Sequence, residues 1–326
     1  MLLRQRWIVV ALLVYGLIIL QGSASGASYP TKPVTLIVPF AAGGAVDQIA
    51  RALAESVKTT FPQPISVVQR PGGAGTIGCT QVLQASADGH TIGITGPTQL
   101  LLLPQQQDLP YKGMSDFTPI ANASEFSSVV TVRTEAPWRT LQDVLQAAQQ
   151  RPGELRVGNG GLGTLPHLNI EIVRDRLGVR WTTVPFPNGD PEGIAAILGG
   201  HVDVYVSTFP PAAPQARAGK LRLLAYFGEA RHPLAPDVPT ARELGYDVAL
   251  TSYISIFGPK GMPEAVVSML ADALKKGTET DAFKKLIEGQ GSVVRYQAPA
   301  ELRSRMEKDY ILFGEMIKKL NLKAGS

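Results

Sequence analysis

The sequence predicts an α/β protein with two lobes, each of which is a mostly parallel sheet flanked by helices. Strand and helix patterns alternate from Pro33 onward, and this alternation restarts after residue 133. The last third of the chain is rich in helix patterns and too long for an appendage, so we expect it to pack back on the first lobe. The chain would then cross between the lobes twice, near residues 122–126 and 248–256, which makes a two-strand hinge.

Three strand–helix units open the first lobe and predict parallel strands, because a strand that returns in parallel needs a crossover connection. Apolar, β-branched runs predict strands at residues 34–38, 65–69 and 91–95. Apolar side chains on one face, such as Ile49 and Leu53, predict helices at residues 45–58 and 77–84. Further strands are expected at residues 117–121 and 128–133.

The second series of elements repeats this arrangement. It has helix patterns at residues 141–150, 165–177 and 191–198, and strand patterns at 155–157, 181–186, 202–206 and 221–226. The last part has a strand pattern at 248–257 and amphipathic helices at 264–276, 281–288 and 299–320. We therefore predict a signal peptide at residues 1–27, a first lobe at 28–123 plus 253–326, and a second lobe at 124–252.

The N-terminus has the three parts of a secretory signal. Arg4 and Arg6 precede an apolar run at residues 7–20, and small residues follow, with Ser25 and Ala27 placed for cleavage after Ala27. An uncleaved anchor is the alternative, but the apolar run is shorter than the roughly 20 residues that span a membrane. The sequence therefore predicts an exported, periplasmic protein.

The composition and the motifs argue against several classes of function. The net charge of +4 falls to +2 without Arg4 and Arg6, which is too small a bias to indicate nucleic-acid binding. Cys79 is the only cysteine, so no disulfide can form within the chain. The histidines are scattered, and no metal-binding spacing, G-x-S-x-G or Walker A motif occurs. We therefore expect a protein that is not an enzyme and that has no metal and no cofactor.

A glycine turn between the first strand and the first helix is a candidate binding site. The turn consists of Phe40, Ala41, Ala42, Gly43 and Gly44. Its small residues let a ligand approach the start of the helix, where free N–H groups and the positive end of the dipole favour a carboxylate. A turn without a ligand is the alternative, since such turns recur throughout α/β folds. Asp47, in the first helical turn, is expected to cap the helix and fix the turn.

A second glycine turn precedes the helix at residues 165–177. It matches G-x-G-x-x-G, as do residues 73–78, but a dinucleotide site also needs an acidic residue about 20 positions further on. Neither segment has one, so a smaller anion or a plain turn remain as interpretations. His167 could either contact a ligand or have a structural role. The candidates in this turn are Asn159, Gly160, Gly163, Thr164 and His167.

Three further residues complete the candidate set. Asp203 lies in an otherwise apolar strand pattern, where a carboxylate needs a partner that a strand end at a cleft would supply. Thr98 follows the strand at residues 91–95, and Phe186 ends the strand at residues 181–186.

A spaced set of motifs covers essentially the whole mature chain. It includes Tyr29-Pro30-Thr31-Lys32-Pro33, Val38-Pro39-Phe40, Gly43-Gly44 with Asp47, Arg70-Pro71-Gly72, Asp88-Gly89, Gly163-Thr164 with His167-Leu168, Val184-Pro185, and Gly199-Gly200 with Val202-Asp203. This set closely resembles the Bug-type extracytoplasmic solute receptors, the binding proteins of tripartite tricarboxylate transporters. The resemblance implies a two-lobed Venus flytrap, a non-catalytic periplasmic receptor for small organic carboxylates.

The same resemblance implies how the ligand is held and which partners the protein has. The turns at residues 40–44 and 159–164 would hold a carboxylate, largely through backbone groups and ordered waters. The partners would be this small carboxylate and the membrane subunits of the transporter, and we expect a monomer. A receptor on the same fold that signals to a sensor protein is the alternative, and an α/β enzyme that uses the glycine loops for a cofactor is another.

The sequence departs from the family pattern at three places. Ala41 and Ala42 stand where proline is common, and Tyr253 stands where tryptophan is common. After Val184-Pro185, where the family usually has tyrosine, lysine and glycine, this chain has Phe186 and then proline. These changes remove a hydroxyl and a positive charge, and they favour a ligand with an apolar or aromatic body over a multiply charged acid such as citrate.

Overall fold

The structure, a computed structural model, describes residues 29–186 and 189–319. The predicted signal peptide at residues 1–27 lies outside the described residues, as do Pro187 and Asn188. The strands are β1 (Val34–Val38), β2 (Ile65–Gln69), β3 (Thr91–Thr95), β4 (Phe117–Phe126), β5 (Ser128–Arg133), β6 (Arg156–Asn159), β7 (Thr182–Pro185), β8 (Val204–Thr208), β9 (Leu221–Tyr226), β10 (Ser252–Pro259) and β11 (Val293–Gln297).

Helices cover both sheets. They are α1 (Ala45–Ser56), α2 (Thr76–Leu83), α3 (Leu103–Gln106), α4 (Leu141–Gln150), α5 (Leu165–Leu177), α6 (Asp190–Leu198), α7 (Phe209–Arg217), α8 (Glu264–Thr278), α9 (Asp281–Gly289) and α10 (Pro299–Lys319). A π-helical turn, Thr98–Leu102, runs directly into α3. Among the described residues, none of these helices is both long and apolar enough to cross a membrane.

The strands form two separate sheets, which confirms the predicted two-lobed α/β fold. The first sheet has the order β11-β4-β10-β3-β1-β2, and the second has the order β7-β6-β8-β5-β9. The exact residues at which one lobe gives way to the other stay a prediction.

Both sheets are mixed rather than mostly parallel, so that part of the prediction is wrong. β1 runs parallel to β2 and β3, and β6 runs parallel to β7 and β8. The strands that connect the lobes, β4, β5 and β10, lie antiparallel to their neighbours. β4 pairs with β10 and β11 in the first sheet, continues through Ser127, and becomes β5 of the second sheet, which pairs with β8 and β9.

The hinge is held by buried polar groups. The hydroxyl of Ser127 donates to the carbonyl oxygen of Phe227 at 2.7 Å. The side-chain amide of Asn169, on α5, donates to the carbonyl oxygen of Leu250 at 2.8 Å and accepts from the N–H of Leu250 at 2.9 Å. The Ser127 hydroxyl also lies 3.3 Å from the carbonyl oxygen of Leu250, so the two chain segments that connect the lobes are fixed to each other and to α5.

Helix α1 illustrates how the local pattern becomes packing. Its Ile49, Ala50 and Leu53 are almost completely buried against the strands of the first sheet, as their spacing of three and four residues predicts. Helix α4 begins with a capping box, in which Thr140 accepts from the N–H of Asp143 and the Asp143 carboxylate accepts from the N–H of Thr140.

Candidate ligand-binding cleft

The carboxyl ends of the parallel strands meet at one edge of each sheet, which is where open α/β sheets bind ligands. In the first lobe, Ile37 on β1 pairs with Gly93 on β3, so the turn at residues 40–44 and Thr98 follow neighbouring strand ends. In the second lobe, Asn159 at the end of β6 pairs with Pro185 and Val206. The turn at residues 160–164, Phe186 and Thr208 therefore lie at a common edge.

A cavity of about 290 Å³ lies between the lobes and is called the cleft cavity below. Its lining residues are Thr98, Leu102, Leu103 and Gln106 from the first lobe, Phe126 and Ser252 from the hinge, and Leu162, Gly163, Thr164, Leu165, Pro166 and Thr208 from the second lobe. The volume is at the lower end of the range of about 300 to 1,000 Å³ for small-molecule sites. Of the predicted residues, Thr98, Gly163 and Thr164 line it.

The turn before α5 is held by hydrogen bonds to its own side chains. Gly163 has a φ of +78°, a conformation that favours glycine, and its N–H donates to Nδ1 of His167 at 3.0 Å. The N–H of Gly161 donates to Oδ1 of Asn159 at 3.0 Å. The N–H of Gly163 is thus already used within the protein, whereas the first-turn N–H groups of α5 have no helical partner.

The turn before α1 is built in the same way. Gly43 has a φ of +82°, and its N–H donates to Oδ2 of Asp47 at 2.9 Å. Asp47 is buried and also accepts from Nε of Arg51 at 3.0 Å and from Nε2 of Gln69 at 2.5 Å. Burial alone would raise the pKa of Asp47, but these hydrogen bonds outweigh it and lower the pKa below its ordinary value. Asp47 therefore holds the turn through its hydrogen bond to Gly43.

This turn of the first lobe does not belong to the lining of the cleft cavity. Residues 41–44 are exposed, while Phe40 is half-buried and packs against the core of the first lobe. The turn lies at the same sheet edge as Thr98, which does line the cavity.

His167 is buried beneath the turn, with 4% of its surface exposed. Burial, and to a smaller extent the positive charge of Arg174, lower the pKa of His167 to about 4. Because Nδ1 accepts the N–H of Gly163, a neutral ring carries its proton on Nε2, which lies 3.8 Å from Oε1 of Glu171. His167 is not among the cavity-lining residues, so the geometry supports the structural interpretation.

An acidic group that the sequence reasoning missed lies directly behind the cavity wall. Asp190, the first residue of α6, accepts at Oδ2 from the Thr208 hydroxyl at 2.5 Å and from the Thr208 N–H at 3.1 Å. Its Oδ1 accepts from the hydroxyl of Tyr205 at 3.0 Å. A Cβ added at Gly160 would lie 3.1 Å from the same Oδ1. A residue larger than glycine at this position would therefore require Asp190 to shift slightly. Aspartate is common at the first residue of a helix, so the sequence alone does not mark Asp190. Only the fold brings it next to Thr208.

Two other candidates have packing or structural roles. Phe186 packs edge to face against Tyr205, with ring centroids 5.8 Å apart, and does not line the cavity. Asn159 is completely buried, and its Nδ2 has no hydrogen-bond partner among the described residues. Both N–H donors of this buried amide are therefore unused by the described residues.

The interpretation of Asp203 as a cleft residue is corrected by the structure. Asp203 precedes β8 and forms a two-point ion pair with Arg156, at 2.8 Å from Nη2 to Oδ1 and 3.0 Å from Nε to Oδ2. Burial alone would raise the pKa of Asp203, but the hydrogen bonds from Arg156 outweigh it and lower the pKa. Both residues lie at the amino ends of their strands, whereas the cavity lies at the carboxyl ends.

A larger groove of about 870 Å³, called the rear groove below, lies on the other side of the hinge. Helix α5 shows this placement, because Leu165 at its start lines the cleft cavity and Asp175 near its end lines the rear groove. The groove carries charges of both signs, and Lys319 on α10 forms an ion pair with Asp175 across it. Among the described residues, no three His, Cys, Asp or Glu side chains are grouped to hold a metal ion.

Comparisons with known proteins agree with this architecture. The chain is 31% identical over 270 residues to a UPF0065 protein of the gbd 5′ region of Cupriavidus necator, covering 83% of this chain and 82% of that protein. A TctC solute-binding protein from Polaromonas, solved without ligand, has a TM-score of 0.83 and 31% identity, covering 90% of this chain and 100% of that chain. The predicted two-lobed periplasmic binding protein fold is therefore confirmed.

Two solved structures of Rhodopseudomonas palustris proteins contain a carboxylate. MatC with bound malate is 28% identical with a TM-score of 0.68, covering 89% of this chain and 100% of that chain. A second protein with adipate is 26% identical with a TM-score of 0.69, covering 89% of this chain and 97% of that chain. Residues 49–322 match the family described as the tripartite tricarboxylate transporter family receptor, TctC. The chain therefore belongs to the TctC family of solute-binding receptors, as its resemblance to the Bug-type proteins predicts.

Proposed function

We propose that this protein is a periplasmic receptor that binds a small organic carboxylate between its lobes and delivers it to the membrane subunits of a tripartite tricarboxylate-type transporter. Family membership and the acids in two solved relatives support the proposal. The observation that carries it is the glycine turn before α5, which opens at a helix N-terminus into the cleft cavity. In this proposal the protein performs no chemical step and acts as a monomer.

The carboxylate would be held by backbone donors rather than by a cationic side chain. Pro166 has no N–H, and the N–H groups of Gly161 and Gly163 are used within the turn. The donors left for a ligand are the backbone N–H groups of Leu162, Leu165 and His167. Hydrogen bonds to a charged group contribute about 1.5 to 3 kcal/mol each. Micromolar affinity corresponds to a binding free energy of about 8 kcal/mol, which a few such hydrogen bonds can supply after the cost of association.

The first lobe would add donors when the cleft closes. The turn at residues 40–44 presents the N-terminus of α1, with Gly44 as the residue before the helix. One anion between two helix N-termini interacts with both only when the lobes approach each other, so a bound carboxylate favours the closed state. This gives the two glycine turns, at residues 40–44 and 160–164, a common role.

A thermal-shift screen tests the proposal. Mono-, di- and tricarboxylic acids are added to the purified mature protein, and the uncharged amide of each acid serves as the control. At least one acid should raise the unfolding temperature in a concentration-dependent way, because a ligand that binds only the native state stabilises it. The matching amide should not. Equal shifts with acid and amide, or no shift with any acid, would contradict the proposal.

Delivery to a transporter is tested separately in cells. Deletion of the gene should abolish uptake of the radiolabelled acid, and expression of the wild-type protein should restore it. Uptake that does not depend on the protein would limit its role to binding.

A further inference from the structure

We infer that the cleft selects monocarboxylic acids with an apolar body over di- and tricarboxylic acids, an inference that rests on the proposed function. The walls of the cleft cavity indicate this ligand class.

The walls of the cavity are apolar on both sides. The first lobe contributes Leu102 and Leu103, and the hinge contributes Phe126. The second lobe contributes Leu165 and Pro166, together with Leu162 at the tip of the glycine turn. Leu162 is 53% exposed, so an apolar ligand body that covers it removes apolar surface from water.

In the part of the chain that the structure describes, the cavity has no cationic side chain in its lining that could balance a second carboxylate. Among the described residues that line it, none is Lys, Arg, His, Asp or Glu, and the polar side chains are Thr98, Thr164, Gln106, Thr208 and Ser252. One carboxylate can lie at the N-terminus of α5. A second carboxylate would lose its hydration without gaining a counter-charge, which is unfavourable in a site of this size.

Asp190 makes the part of the cavity wall at Thr208 unfavourable for a second carboxylate. The hydroxyl proton of Thr208 points to Oδ2 of Asp190, so the Thr208 oxygen can only accept a hydrogen bond from a ligand. A carboxylate has no proton to give it, and the negative charge of Asp190 lies one hydrogen bond behind. Arg156, on strand β6 of this lobe, does not compensate, since it pairs with Asp203 at the opposite sheet edge.

Acids of equal chain length separate the effect of a second carboxylate on affinity from the effect of ligand size. Butyrate is compared with succinate, and hexanoate with adipate, by isothermal titration of protein freed of co-purified ligand. Hexanoate should bind at least 10-fold more tightly than adipate, and butyrate more tightly than succinate. Within the monocarboxylates, affinity should rise about 4-fold per added CH₂ until the cavity is filled.

Two variants locate the selectivity in the cavity. Leu162→Ser should weaken hexanoate binding about 3- to 10-fold and leave the fold intact, because the side chain is exposed. The control is Leu177→Ser at the C-terminal end of α5, the helix that follows the turn containing Leu162. Leu177 is 37% exposed, lies outside the cavity lining and should not change affinity when replaced. Gln106→Arg supplies the missing counter-charge and should improve adipate binding relative to hexanoate.

The outcomes distinguish this inference from the function on which it rests. Adipate, succinate or citrate binding as tightly as hexanoate would overturn the inference and leave the carboxylate receptor standing. The inference is also overturned, and the carboxylate receptor still stands, if Leu162→Ser and Leu177→Ser change the affinity for hexanoate equally. If none of these acids binds, the inference fails, whereas the proposed function fails only if the thermal-shift screen also finds no acid that stabilises the protein.

Discussion

Gly163 donates its backbone N–H to Nδ1 of His167 across 3.0 Å, from a turn into the first turn of the helix that follows. The other lobe repeats this relationship, with Gly43 donating to the carboxylate of Asp47 at 2.9 Å. In both lobes the glycine has a positive φ and the acceptor lies four residues later. A side chain within the helix thus shapes each turn before any ligand arrives, which lowers the cost of ordering the turn on binding.

Replacing Gly43 by alanine should lower the free energy of unfolding by about 1 to 2 kcal/mol, because a φ of +82° brings a Cβ too close to the backbone. The matched control is Gly44→Ala. Gly44 has a φ of −70°, and its added Cβ would lie at an ordinary 3.5 Å from the carbonyl oxygen of Ala41. Urea unfolding of both variants checks this, and equal losses of stability would contradict the assigned role of Gly43.

The pKa of His167 predicts a loss of stability in acid. The folded protein keeps this ring neutral down to about pH 4, whereas the unfolded chain protonates it near pH 6.5. Between these values the unfolded state binds more protons, so stability rises with pH and falls as the pH is lowered. His167 alone should remove about 2 kcal/mol between pH 7 and pH 5.

The variant His167→Asn isolates this contribution, because asparagine offers an acceptor to Gly163 but does not titrate. Its stability should depend less on pH than that of the wild type over the same window. The exposed His201→Asn is the control and should keep the wild-type dependence. If His167→Asn loses as much stability in acid as the wild type, His167 is not buried neutral.

Asp47→Ala should destabilise the protein by about 1 to 3 kcal/mol, since the donors of Gly43 and Gln69 lose their acceptor. Asp47→Asn should cost less, because the amide oxygen can still accept from Gly43. Glu55→Ala on the same helix removes an exposed ion pair with Lys58 and should have no measurable effect. Chemical denaturation checks this order, and an Asp47→Ala variant as stable as Glu55→Ala would refute it.

The ion pair between Lys319 and Asp175 should hold the cleft open. Helix α5 is about 20 Å long and extends from the cleft cavity to the rear groove, so a rotation that narrows one widens the other. Lys319→Ala removes a partly exposed pair and should therefore tighten binding of the preferred acid, by at most about 5-fold. Lys318→Ala, at the neighbouring exposed lysine, should leave the affinity unchanged. Weaker binding by Lys319→Ala would show that the pair favours closure instead.

Much of the fold could be predicted because its signals are local. The strands β1, β2, β3, β5 and β9 and the helices α4 and α5 have the predicted bounds. Helix α7 could not be predicted, because Pro210, Pro211 and Pro214 argue against a helix. The first two lie in the first turn, where no helical N–H bond is needed. Strand β11 is short and exists through its pairing with β4, which depends on the tertiary fold.

The candidate site was predictable where it depends on a turn and not where it depends on distant partners. Gly163 and Thr164 follow from the glycine pattern and line the cleft cavity. Leu102, Phe126 and Thr208 come from three separate segments that only the fold brings together. Asp203 was misplaced because β8 begins one residue later, with Val204, and its partner Arg156 lies 47 residues away.

The central claim is that a carboxylate binds at the N-terminus of α5 in the cleft cavity. A crystal structure of the protein with hexanoate, or with the acid that gives the largest thermal shift, tests it most directly. We expect a carboxylate oxygen about 3 Å from the first-turn N–H groups of Leu165 or His167. We also expect the body of the ligand to lie between Leu102 and Leu162. A ligand in the rear groove, or a carboxylate paired with an arginine or lysine side chain away from α5, would contradict it.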